Sequence, residues 1–122
     1  MTRLIVPAAL ALAALVPAAR AQTPPAPELT AQQTTALRCS VAFALAADGQ
    51  AMWEPAMAEY PALGERGREF FVRSSAQIMD QTGMTREQVA ALLAAEIEEL
   101  RASEALGAVM PPCLLLLDAS GL

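Results

Sequence analysis

Cys39 and Cys113 are the only two cysteines in a chain of 122 residues. If they join, they close a loop of about 75 residues, and closure alone stabilises by roughly 4–5 kcal/mol in the chain-entropy account, less if strained. The alternatives to an internal bridge are two buried thiols or a bridge between chains. The spacing excludes a Cys-x-x-Cys redox motif. Whether the pair oxidises depends on compartment, so the destination of the chain comes first.

The first 21 residues read as an address. Met1-Thr2-Arg3 gives a positive start, and Leu4 to Pro17 is an apolar run. Ala19-Arg20-Ala21 fits the small-x-small cleavage rule, so cleavage is expected between Ala21 and Gln22. The alternative is an uncleaved anchor. The apolar run is 14 residues and holds Pro7 and Pro17, whereas a span needs roughly 20. No stable membrane span is therefore expected after cleavage. No cysteine lies near the cut, which argues against a lipoprotein. The destination is the periplasm, with secretion as the alternative, and there an internal Cys39–Cys113 bridge is expected.

Two of the eight arginines, Arg3 and Arg20, leave with the leader; six then face thirteen carboxylates, for a net charge of −7. That acidity argues against nucleic acid, whose phosphates require basic patches. It also disfavours anionic lipid. The chain has no histidine, and every basic residue is arginine. A serine or cysteine nucleophile therefore lacks its usual base, and a Schiff base lacks its amine. A Cys/His zinc site has too few ligands. Neither a cofactor nor an enzymatic activity is expected.

The mature chain divides into a Pro-rich flexible lead-in over 22–29, holding Pro24, Pro25 and Pro27, and a single helical domain over 30–122. Alanine supplies 28 residues, eight of them within the leader, and favours helix without filling a core. From Gln22 onward 29 large apolar residues remain, enough for one small core.

Thr30-Ala31-Gln32-Gln33 is a capping box. It opens a helix expected to run to about Ala47, with Gly49 just past its end. Leu37, Val41, Ala44, Leu45 and Asp48 follow helical spacing. Cys39 and Phe43 form an i, i+4 pair that would carry the cysteine into the core. Residues 50–64 are compatible with helix or loop. A short helix from Pro55 would place Met52, Trp53, Met57 and Tyr60 on one apolar face.

A second long helix is expected over about Leu63 to Gln81, closed by Gly83, though Gly64 and Gly67 weaken its first turn. Its face is Leu63, Phe70, Phe71, Ser74, Ile78 and Gln81. The third has the sharpest start. Thr85-Arg86-Glu87-Gln88 is a second capping box, and Met84 and Val89 stand at hydrophobic-staple positions. Its stripe is Val89, Leu92, Leu93, Ile97 and Leu100, and Gly107 is expected to end it. Val109-Met110-Pro111-Pro112 reads as a rigid break. Cys113 to Asp118 then reads as a short apolar turn or helix, tied back to the first helix by the bridge. The fold class is all-α: a small disulfide-tied helical bundle of three long and one or two short helices.

Several constellations bear on function. Glu96, Glu98, Glu99 and Glu104 could hold a hard cation. Without histidine they read instead as a solvated acidic face. Ser74 and Ser75 have no base, and read as back-bonding or close-packing residues. Trp53, Tyr60, Phe70 and Phe71, with Met52 and Met57, form either core or a ligand groove. Leu114, Leu115, Leu116 and Leu117 cannot share one helical face. They are either buried on nearly all sides or part of an exposed patch. Trp53, Met57, Tyr60 and Leu114 to Leu117 are the candidate binding surface.

The stretch Leu63–Leu106 and the closing Met110-Pro111-Pro112-Cys113-Leu114 resemble small exported helical proteins of proteobacteria with a leader and two distant cysteines. That resemblance implies no named activity. The general plan, small, helical and single-bridged, is also similar to periplasmic acid-activated chaperones. The expected function is non-enzymatic: an envelope protein that binds a partner protein or a small apolar ligand, with a homodimer as one form. The alternative is an acid-stress chaperone, because neutralising thirteen carboxylates leaves six arginines and a net positive chain near pH 3.

Overall fold

The computed structural model describes residues 25–122; the leader and its expected cleavage site at Ala21–Gln22 lie outside the described residues. Among the described residues four helices follow one another: α1 (Ala31–Ala51), α2 (Arg66–Thr82), α3 (Arg86–Ser103) and α4 (Leu106–Ala119). A 3₁₀ turn, Pro55–Met57, lies between α1 and α2. Among the described residues there is no strand, and no helix is long and apolar enough to cross a membrane. The fold is a small disulfide-tied helical bundle.

Both capping boxes form. Thr30 Oγ1 accepts from the Gln33 backbone N–H at 3.2 Å, and Gln33 Oε1 accepts from the Thr30 N–H at 2.9 Å. Thr85 and Gln88 repeat the exchange at the head of α3. Met84 and Val89 close as a staple within one buried cluster with Leu37 and Ile78. Gly83 ends α2 in the left-handed conformation, φ 71°, which a glycine adopts without a Cβ clash.

α1 is the centre. It packs against α2 most extensively, and also against α3, α4 and the 3₁₀ turn. Its residues from Cys39 to Phe43 are buried without interruption. Five consecutive residues span more than a full turn, so no single stripe describes this helix. Of the expected face, Leu37 and Val41 are buried, whereas Ala44 and Asp48 are exposed. Alanines make the enclosure possible: Ala42 and Ala46 lie fully inside and let neighbouring helices approach closely. Phe43 meets Phe70 of α2 edge-on, with ring centroids 5.2 Å apart. Around them sit Leu63, Leu100, Met110 and Leu117. Each such side chain contributes roughly 1.5–3 kcal/mol on burial.

The bridge forms. Cys39 of α1 and Cys113 of α4 are joined, their Cα atoms 5.2 Å apart, across 74 positions. It fits an oxidising compartment.

Four expected boundaries move. α1 does not stop at Ala47; it runs through Gly49, which is buried against the following loop. α3 does not reach Gly107; it ends at Glu104, whose φ of 52° turns the chain before the glycine is reached. Pro111 and Pro112 do not break the chain: α4 passes through both. Met110, Cys113 and Leu117 face inward, while both prolines are exposed. The missing proline N–H groups would have met the carbonyls of Gly107 and Ala108, both solvent-exposed residues. Packing and the bridge hold the helix where local chemistry argues against it. α2 starts at Arg66 rather than Leu63, consistent with the two weakening glycines.

Candidate binding surface

The loop after α1 is organised by one side chain. Gln50 Nε2 faces three carbonyls, of Met57, Tyr60 and Pro61, at 3.2, 3.3 and 2.9 Å. Its Oε1 accepts from the Leu63 N–H at 3.1 Å. One amide thus stands in for the backbone pairing that an irregular segment lacks. The chain also folds back on the helix end: the Glu54 N–H donates to the Gly49 carbonyl at 2.9 Å. Gly49 has to be small, because a Cβ there would lie 2.5 Å from Met57 Cγ.

This framework presents Trp53. Its φ is 60°, one of two non-glycine positive values among the described residues, and its side chain is 90% exposed. A bulky residue in the left-handed region is strained by about 1–2 kcal/mol. A tryptophan that exposed recovers little of this by burial. Trp53, Tyr60 and Pro55 line an open slot of about 330 Å³ together with Gln50, Glu54 and Ala62. The expected apolar face of Met52, Trp53, Met57 and Tyr60 therefore does not exist as one surface. Met57 and Tyr60 pack against the core, while Met52 and Trp53 point to solvent. Of the four, Trp53 and Tyr60 line the slot and Met52 and Met57 do not.

The four leucines separate in the same way. Leu117 is fully buried and Leu114 packs on the core, whereas Leu115 is 73% exposed and Leu116 lies on the surface. Leu116 lines a depression with Ala31, Thr35 and Phe70, at the N-terminal end of α1. Trp53 lies beyond the other end. Eighteen residues of mostly helical rise, roughly 27 Å, separate Thr35 from Trp53, so the structure does not bring the leucines and the Trp53 slot together.

Glu96 is not part of a solvated acidic face. It is buried on α3 and accepts from Arg38 Nε of α1 at 2.5 Å. Arg38 Nη2 also donates to Glu99 at 2.8 Å. The hydrogen bond from Glu96 raises the Arg38 guanidinium above its ordinary value, against the opposing effect of burial, and the negative charges of Glu96 and Glu99 add to it. Glu98 and Glu104 stay exposed. Among the described residues, no three of His, Cys, Asp and Glu stand together as a potential metal site.

Sequence reasoning missed two features. One is the role of Gln50, since a single glutamine at a helix end carries no pattern. The other is an apolar groove of about 450 Å³ between α2 and α3, lined by Phe71, Val72, Met79, Val89 and Leu93. Its available signal was Val72, a large apolar residue off the Phe70–Ser74–Ile78 face. No protein-family model, curated protein or solved structure matches the chain.

Proposed function

We propose that this chain is a non-enzymatic exported protein of the cell envelope that acts by binding, with the Trp53 slot as its contact. The observation that carries this reading is an exposed, strained tryptophan on a loop fixed by Gln50. Strain kept where it adds nothing to stability points to a contact outside the chain. Tryptophan is the residue type most enriched among those that dominate interface energies. The apolar leader and the bridge support export. The lack of histidine and lysine supports a role without covalent or acid–base chemistry. Native mass spectrometry of periplasmic protein, purified without reductant, tests it. The wild type is expected to carry a second copy, a protein or a small molecule that Trp53→Ala loses. A bare oxidised monomer in both would sink the reading.

A second reading, the acid chaperone, draws on the ties between helices. Glu96 and Glu99 join α3 to Arg38 of α1. Asp118 joins α4 to Arg66 of α2 at 2.9 Å. Protonating these carboxylates removes both ties while the arginines keep their charge. The protein is then expected to suppress client aggregation near pH 3 and not at neutral pH. Equal light scattering with and without the protein at low pH would end this reading.

A further inference from the structure

We infer that the Trp53 slot receives the proline segment Pro24-Pro25-Ala26-Pro27 of a second copy of this chain, an inference that rests on the binding reading above. Three observations lead there. First, the slot has the chemistry that recognises polyproline II backbone. Trp53, Tyr60 and Pro55 offer flat apolar walls. An indole N–H and a phenol O–H are the donors among them. A polyproline II segment brings proline rings to stack and carbonyls with no internal partners. Second, the same chain carries such a segment. Pro25 to Glu28 are exposed and outside any helix. No charged residue occurs between Gln22 and Pro27, so this stretch can approach an acidic body without repulsion.

Third, distance decides which copy supplies it. Pro25 stands five residues before the Thr30 cap, a reach of roughly 16 Å at about 3.1 Å per residue. The 21 residues of α1 span roughly 31 Å, and Trp53 lies beyond their far end. A chain therefore cannot fill its own slot. Two copies side by side with α1 helices antiparallel place each lead-in at the other's slot. This reciprocal two-fold arrangement closes on itself.

Trp53 is the only tryptophan, so intrinsic emission reports on the slot directly. In the oxidised chain beginning at Gln22, emission is expected to move to shorter wavelength as concentration rises. The monomer–dimer step in analytical ultracentrifugation should share the same midpoint. Replacing Pro24, Pro25 and Pro27 together by serine is expected to abolish both effects without changing the helical circular dichroism. A synthetic peptide of residues 22–29 should restore the blue shift in that variant, and its serine counterpart should not. Emission that ignores concentration and peptide overturns the inference. So does a dimer that survives the serine replacements, which places the interface elsewhere. A blue shift from an unrelated proline-rich peptide but not from residues 22–29 also overturns self-docking, yet leaves the binding reading standing.

Discussion

At the scale of single residues, Trp53 sets a testable opposition between stability and contact. Glycine at 53 would remove the left-handed strain and surrender little packing, the side chain being 90% exposed. Trp53→Gly is therefore expected to raise stability by about 1 kcal/mol in urea unfolding, while losing whatever the slot binds. A loss of stability instead would mean that the indole packs on the body after all. Residue-scale chemistry was legible in the sequence where it is local. Thr30, Thr85 and Gly83 act through neighbours three or four positions away, and their roles could be read directly. Gly49 could not. It has the form of a helix stop, but its small size is required by Met57, eight residues on. That contact exists only once the loop has folded back.

At the scale of elements, the tie between α1 and α3 is the Arg38–Glu96 pair, and its worth follows from its uneven burial. The Glu96 side chain is 10% exposed and that of Arg38 is 38% exposed. Arg38→Ala would leave a buried carboxylate unpaired, and is expected to lower stability by about 2 kcal/mol. Arg73→Ala, which breaks the surface Glu69–Arg73 pair along α2, is expected to cost about 0.3–0.5 kcal/mol. Equal effects on chemical denaturation would show that Glu96 is solvated. The pH dependence has a definite sign. Arg38 is held protonated above its ordinary value. Its stabilisation is complete below the unfolded-state value and declines only as pH rises through the higher, folded one. Arg38 therefore gives no slope across the neutral and moderately alkaline range. Reading elements from sequence found the inner residues Phe70, Ser74 and Ile78 of α2 and Val89 and Leu100 of α3, but it also put Gln81 on the inner face, where it is exposed. It placed Glu96 outside, because a glutamate is a surface residue until a partner on another helix is known. It broke α4 at Pro111, because Met110, Cys113 and Leu117 hold that helix through contacts with α1.

At the scale of the whole molecule, the all-helical bundle and its bridge were legible, and the order of burial was not. Enclosure of α1 depends on how many neighbours surround it, which no periodicity within one helix records. The bridge is expected to contribute roughly 4–5 kcal/mol, a large share of the 5–15 kcal/mol typical of a small domain. Cys39→Ser is expected to speed hydrogen exchange in α4 well beyond that in α2 and α3. Uniform acceleration would show that α4 is held by packing alone. The closed ring also has a mechanical meaning. Tension applied to the two ends of the chain crosses from residue 39 to residue 113 through sulfur. Helices α2 and α3 lie wholly inside the ring and carry none of that load. Only the segments outside it can lengthen under such a pull.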